Sequence, residues 1–210
     1  MIKCVSFDCD GTLVDDKYDN FFWNEEIPKA YAEKNNISLV EAKKFVYSEY
    51  YKALYIERIA NWTNYDYWLE RFGLEKEKLL LILEHENLVY DDSKIILKYL
   101  KDKGYKIVVI SNSEKNILDI KLKSLKHYVD KAISVFNKYG INKGSVVFEK
   151  ELLDLELKPE ELIHVGDDFE QDYLSPKATG IKSYLLRRNS KKEDLQEHEI
   201  NSLLDLKKIL

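Results

Sequence analysis

At 210 residues the chain is long enough for one sizeable hydrophobic core, or for a core and a smaller accessory unit. Hydrophobic residues make up 45% and charged residues 34%, with only 7 Gly and 3 Pro, which excludes disordered and fibrous proteins and describes a compact soluble one. The formal charge of -5 argues against a nucleic-acid partner, and it means that an anionic substrate must be drawn to particular cations inside an acidic molecule.

The first predicted element is a strand over residues 2–7, rich in strand formers, running into Asp8-Cys9-Asp10-Gly11-Thr12. Period-2 geometry sends Asp8 and Asp10 to the same side of an extended chain, and Gly11 permits a sharp turn after them. Two carboxylates at the end of a strand make a poor core and a good cation site. Their oxygens suit Mg²⁺, and the same pair offers a nucleophile beside a general acid/base. Asp15 reads as structural, closing that turn.

Residues 17–88 differ from the rest: they hold no convincing strand, no glycine before Gly73, and a high density of aromatics at helical spacing, such as Phe21, Trp23, Ile27 and Tyr31. They are expected to form four or so helices packed as a small bundle, set in sequence between the first two strands. The stretch Asn61-Trp62-Thr63-Asn64-Tyr65-Asp66-Tyr67-Trp68 has the look of a recognition surface, although aromatics at this spacing more often form core.

From residue 91 onward strand and helix signals alternate. A helix over 91–103 stops at Gly104, and a buried strand over 106–110 runs into Ser111-Asn112-Ser113. A helix over 114–125 follows, with Ser113 as its expected N-cap, then a short strand over 132–136 and a helix over 145–157. The strand 162–165 ends in Gly166-Asp167-Asp168. A helix over 171–179, a strand over 181–186 and a closing helix over 202–210 complete the chain. This alternation implies a Rossmann-like α/β fold with a doubly wound parallel sheet. In such sheets the ligand crevice lies at the carboxyl ends of the strands, where Asp8, Asp10, Ser111 and Asp167 would converge.

Those motifs, in that order, resemble the signature of the haloacid dehalogenase superfamily, and the resemblance covers nearly the whole chain. Asp8-Cys9-Asp10-Gly11-Thr12 matches its first motif, Ile110-Ser111-Asn112 its second, and Gly166, Asp167 and Asp172 its fourth, Gly-Asp-x4-Asp. The third motif is a lysine. Gly140-Ile141-Asn142-Lys143 fits it, with Gly144 where a proline is usual, and Lys138 is the competitor.

The resemblance implies an α/β core domain over residues 1–16 and 89–210 and a helical cap domain over 17–88 that carries substrate specificity. It implies that Asp8 attacks phosphorus to form an aspartyl-phosphate while Asp10 protonates the leaving group and later deprotonates water. It further implies that Ser111, the Asn112 backbone and Lys143 hold the phosphoryl group. Mg²⁺ would contact the Asp8 and Asp167 carboxylates and the Asp10 carbonyl, with Asp172 orienting water or the lysine. Simpler readings stand beside these: Ser111 as a helix N-cap, Lys143 as a solvated lysine, Asp172 as a capping or paired carboxylate. His164 reads as a core histidine, Cys9 as unreactive between two carboxylates, and Asp168 as either a neighbour of the metal site or a plain helix-start residue.

The expected function is hydrolysis of a small phosphorylated metabolite, sugar- or triose-phosphate-like. A phosphomutase is the alternative within the family. A haloacid dehalogenase is disfavoured because a halide leaving group needs no acid at Asp10. A non-enzymatic binding protein is disfavoured by the retained carboxylates. Cys4 and Cys9 cannot bridge each other within one extended segment, the apolar runs are too short for a membrane span, and no signal peptide precedes the first strand. A cytoplasmic monomer or homodimer is expected.

Overall fold

The strand at the amino terminus, β1 (Cys4–Phe7), has no exposed residue, so it must lie inside a sheet covered on both faces. The computed structural model describes residues 1–59, 64–79 and 89–210, the side chains at 18 and 19 excepted. The chain divides into two compact units: Met1–Asp15 with Val89–Leu210, and Asp16–Leu88.

The first unit carries a six-stranded sheet in the order β3-β2-β1-β4-β5-β6, with every pairing parallel. The strands are β2 (Lys106–Ser111), β3 (Lys131–Ser134), β4 (Leu162–Gly166), β5 (Lys182–Leu186) and β6 (Glu199–Ile200). The register sets Phe7 level with Val109 on one side and Val165 on the other, with β2 running two residues further to Ser111 and β4 one further to Gly166. The order reverses between β1 and β4, which opens the crevice expected of a doubly wound sheet at their carboxyl ends. On one face Cys4, Val108, Ile110, Ile133, Phe148 and Leu162 form a continuous buried cluster.

Several element boundaries depart from the sequence expectation. The strand expected over 132–136 ends at Ser134, whose hydroxyl accepts from the Asn137 N–H and caps the helix Val135–Tyr139. The expected closing helix is reduced to Leu206–Ile209. Ahead of it, after β6, a 3₁₀ turn at Leu203–Asp205 is held by Asp92, whose Oδ2 accepts from the Ser202 hydroxyl and the Leu203 N–H. The segment expected as a helix over 171–179 begins as a π-type turn at Phe169–Leu174 before the helix Ser175–Ala178.

The second unit holds the helices Lys17–Phe21, Ile27–Asn35, Leu39–Tyr51 and Tyr65–Phe72. Ser38 and Glu41 form a reciprocal capping box at the start of Leu39–Tyr51. Gly73, at φ +62°, ends Tyr65–Phe72. Tyr65, Trp68 and Phe72 of the last helix are buried, and Tyr50 meets Trp68 edge-on at 4.6 Å between ring centres. Trp62 and its neighbours at 60–63 lie outside the described residues, as does the span 80–88. Among the described residues no helix is long and apolar enough to cross a membrane.

Candidate active site

Asp8 follows β1 directly and donates its N–H to the Val165 carbonyl at 2.9 Å, which fixes it beside the end of β4. The chain then turns back, with Leu13 and Val14 N–H both donating to the Cys9 carbonyl at 2.8 and 2.9 Å. Gly11 sits at φ +70° in this turn, and a Cβ there would stand 2.2 Å from Asp167 Oδ2. Thr12 donates its hydroxyl to Asp167 Oδ1 at 3.3 Å. At the end of β4, a Cβ on Gly166 would stand 2.2 Å from the carboxyl carbon of Asp172. Two glycines thus make room for two carboxylates.

Lys143 joins these parts. Its ammonium lies 2.5 Å from Asp8 Oδ1 and 2.5 Å from Asp172 Oδ1, and it also donates to the Ile110 carbonyl at 3.3 Å. All three side chains are buried. Asp172 further accepts from the Asp168 N–H and from His164 Nε2, each at 3.1 Å. An ionised carboxylate only accepts, so Nε2 of His164 carries the proton and Nδ1 accepts from the Ser6 hydroxyl at 2.8 Å. His164 is therefore a core histidine that fixes Asp172. Asp168 caps the π-type turn by accepting from the Gln171 N–H at 2.8 Å. Lys138 lies elsewhere, bound to Glu151 at 2.6 Å and to Asp154 at 2.5 Å.

The second loop of the site leaves β2. Ser111 Oγ accepts from the Ser113 N–H at 3.0 Å. Asn112 accepts from the Lys143 N–H at 2.8 Å and donates to Gln171 Oε1 at 2.5 Å, so its side chain ties the lysine loop to the π-type turn. Ser113, expected as the N-cap of the next helix, is not. Glu114 caps the helix Lys115–Lys121 by accepting from the Asn116 N–H, while the Ser113 hydroxyl turns to Asp10 Oδ2 at 2.7 Å. The other oxygen of Asp10 meets Lys121 at 2.5 Å.

Lys121 was not among the residues the sequence motifs single out. The available signal was its register: it shares the buried face of its helix with Ile117 and Leu118, a place where a lysine is rarely tolerated without a partner.

Four carboxylates, Asp8, Asp10, Asp167 and Asp172, here meet two ammonium groups, Lys121 and Lys143. The imbalance falls on particular groups. Burial, reinforced by the charges of Asp172, Asp167 and Asp10, holds Asp8 well above the usual carboxylate range against the pull of Lys143. Loss of water around its carboxylate, with the Asp172 charge second, pushes Asp167 up to about 6 although the residue is exposed overall. Asp172 goes the other way: burial alone would raise it, but Lys143 and His164 hold it well below the usual range. Burial pushes His164 down, so the ring is neutral near pH 7. Oxygens of Asp8, Asp167 and Asp172 lie within 4.8 Å of one another. With Lys143 shared between Asp8 and Asp172, the two carboxylates pushed above the usual range are Asp8 and Asp167. An all-oxygen donor set with surplus negative charge fits a hard divalent cation.

The Rossmann-order sheet, with paired aspartates after its first strand and a buried lysine–aspartate bridge beside them, makes this an α/β protein with an acidic crevice at the carboxyl ends of its strands. The chain matches the family model "haloacid dehalogenase-like hydrolase" over residues 2–180 and belongs to that family. A GMP/IMP nucleotidase of Escherichia coli, YrfG, is 28% identical over 121 residues, 58% of this chain and 53% of that protein. The chain therefore spans about half the length of that relative. A glyceraldehyde 3-phosphate phosphatase of Methanothermobacter thermautotrophicus is 26% identical with both chains covered in full. The crystal structure of a HAD phosphatase from Thermococcus onnurineus superposes with a TM-score of 0.78 at 27% identity, covering 99% of this chain and 97% of that one.

Proposed function

We propose that this chain is a Mg²⁺-dependent phosphatase of small phosphorylated metabolites, working through an aspartyl-phosphate on Asp8. The observation that carries the reading is the Lys143 ammonium held 2.5 Å from both Asp8 and Asp172. It sets a fixed positive charge against the nucleophilic carboxylate, where phosphoryl oxygens would arrive.

Asp8 attacks phosphorus, a P–O bond to Asp8 forms, and the ester P–O bond breaks as Asp10 gives its proton to the leaving oxygen. Asp10, now a carboxylate, takes a proton from water as that water attacks the phosphoryl group. The bond to Asp8 breaks, and inorganic phosphate leaves. The Ser111 hydroxyl, the Asn112 backbone N–H and Lys143 hold the phosphoryl oxygens. Asp8, Asp167 and the Asp10 main-chain carbonyl would hold Mg²⁺, whose charge, when bound, offsets that of the phosphoryl group. Asp172 positions Lys143.

In this reading residues 1–16 and 89–210 form the catalytic core domain, and residues 17–88 act as the cap that selects the substrate. A small phosphomonoester as substrate is supported by the two relatives, one a GMP/IMP nucleotidase and the other a glyceraldehyde 3-phosphate phosphatase. The reading carries with it a cytoplasmic enzyme, monomeric or homodimeric. Asp10, an acid that a halide leaving group would not need, favours phosphoryl transfer over dehalogenation.

The test is phosphate release from p-nitrophenyl phosphate with Mg²⁺ and with chelator, for wild type and Asp8→Asn. Metal-dependent release that falls on the order of a thousandfold or more in Asp8→Asn is expected. Release that survives the substitution overturns the nucleophile assignment. Transfer of the phosphoryl group to another position of a sugar phosphate, without free phosphate, would make the enzyme a mutase instead.

A further inference from the structure

Lys121 is a buried cation that the reaction as described leaves without a task. Its side chain is fully buried, its Nζ lies 2.5 Å from Asp10 Oδ1, and it donates to the Ser113 hydroxyl at 3.1 Å. Ser113 in turn donates to Asp10 Oδ2 at 2.7 Å. The three groups close a triangle in which both oxygens of Asp10 are gripped. Ser113 is itself fixed, by its N–H on Ser111 Oγ at 3.0 Å and by its carbonyl, which accepts from the Ser134 hydroxyl at 2.7 Å. The linkage thus runs from the end of β3 through Ser113 to Asp10, and from the helix Lys115–Lys121 to the same carboxylate.

Burying an ammonium is costly, and replacing a buried ion pair as a whole by apolar residues of similar volume is often neutral or stabilising. The helix offers such an environment beside Ile117 and Leu118. A lysine kept there must be judged by what it holds.

We propose that Lys121 and Ser113 are positioning residues for the acid/base Asp10, and that they govern how far the enzyme can cleave esters whose leaving group needs a proton. The proposal rests on the phosphatase reading above. Proton transfer requires the carboxylate within hydrogen-bond reach of the leaving oxygen, and a displacement of about 1 Å can cost on the order of a hundredfold. A carboxylate held at both oxygens cannot rotate out of that geometry. Lys143 meets Asp8 in a comparable way, so each aspartate of the first motif lies against a buried ammonium.

The experiment compares two esters of nearly equal size, p-nitrophenyl phosphate and phenyl phosphate. Nitrophenolate departs without help from an acid, and phenolate does not. Wild type, Lys121→Met, Ser113→Ala and Asp10→Asn are followed in single-turnover and steady-state modes with Mg²⁺. In Lys121→Met the first turnover of p-nitrophenyl phosphate is expected to stay close to wild type. It gives a burst of nitrophenolate followed by slow turnover, because water attack on the phosphorylated enzyme also needs Asp10. Phenyl phosphate is expected to lose about a hundredfold already in the first turnover, with no burst. Ser113→Ala, which removes only one oxygen atom, is expected to show the same selectivity in weaker form and stands in where Lys121→Met does not fold.

Equal losses for both esters in the first turnover of the two variants would reduce Lys121 and Ser113 to structural residues and overturn the proposal, as would no loss for either ester. Asp10→Asn reports on the acid/base itself: if it matches wild type on phenyl phosphate, the role of Asp10 fails and the proposal with it. Absence of turnover of both esters by wild type overturns the phosphatase reading, a result distinct from wild-type turnover with an unselective Lys121→Met.

Discussion

The ammonium of Lys143 stands 2.5 Å from Oδ1 of Asp172, a side chain only 1% exposed. The pair forms one side of a bridge whose other side is Asp8, so a single cation neutralises two buried carboxylates. Removing the cation leaves both charges unpaired, the costly way to break a buried ion pair. Lys143→Met is expected to lower stability by about 3–5 kcal/mol in urea unfolding, as well as to abolish phosphate release. Asp172→Asn keeps hydrogen-bonding capacity toward Lys143 and His164 and should cost less. A Lys143→Met protein as stable as wild type would show that Asp8 and Asp172 find other partners.

Lys138 supplies the contrast. It pairs with Glu151 at 2.6 Å and Asp154 at 2.5 Å, and Glu151 retains Tyr139 at 2.7 Å when Lys138 is gone. Its side chain is one-third exposed, but Glu151 is fully buried and keeps Lys131 at 3.4 Å, so Lys138→Met is expected to cost about 1–3 kcal/mol, less than Lys143→Met. Because Lys138 contacts neither Asp8 nor Asp172, kcat/KM toward p-nitrophenyl phosphate should be unchanged. A large loss of kcat/KM in Lys138→Met, with Lys143→Met active, would reverse the assignment of the two lysines.

The difference between those lysines also shows how far the sequence could be read. Asp8, Asp10, Ser111 and Asp167 were legible because each follows an apolar strand, and a parallel sheet brings strand ends to one edge without any knowledge of side-chain contacts. Lys143 and Lys138 both follow no such rule, since a lysine in a loop reads the same whether it is solvated or buried. Lys121 was hidden for a related reason: its partner Asp10 lies 111 residues away, and helical lysines are normally solvated. The end of β3 at Ser134 and the shortened closing helix depart from the sequence reading because each turns on a particular hydrogen bond. In the first case it is a local cap of Ser134 on the Asn137 N–H, and in the second the hold of Asp92 on Ser202 and Leu203.

Gly166 tests how closely the site is built. It is not at positive φ, so Ala is conformationally allowed, and the obstacle is purely the carboxylate of Asp172 2.2 Å from where its Cβ would lie. Gly166→Ala must push Asp172 away from Lys143 and His164. The expected result is a loss of stability of about 1–3 kcal/mol from overpacking, together with a fall in kcat that Asp172→Asn partly reproduces. Gly104→Ala is the control for glycine replacement in general, because no atom lies within 4 Å of its Cβ position and its strain comes from φ +82° alone. Full activity in Gly166→Ala would mean that Lys143 does not depend on Asp172 for its place.

Cation binding should carry the mark of the raised carboxylates. Asp167 is pushed up from 3.8 to about 6 by loss of water and by Asp172, and Asp8 is raised by burial and by its acidic neighbours. The sign follows from proton counting. Between about 4 and 6 the folded protein holds a proton on Asp167 that the unfolded chain has released, so this group stabilises the fold at low pH and loses that contribution as pH rises through about 6. A cation bound at Asp8 and Asp167 takes the place of those protons. Mg²⁺ affinity should therefore fall as pH drops below about 6, by about tenfold per pH unit for each proton displaced, and binding should release protons. Titration calorimetry at pH 5.5 in two buffers of different ionisation enthalpy measures that release directly. It is expected to diminish toward pH 8 and to shrink in Asp167→Asn. An Mg²⁺ affinity that is flat from pH 5 to 8, or that rises on acidification, would show that the cation is held without these two carboxylates.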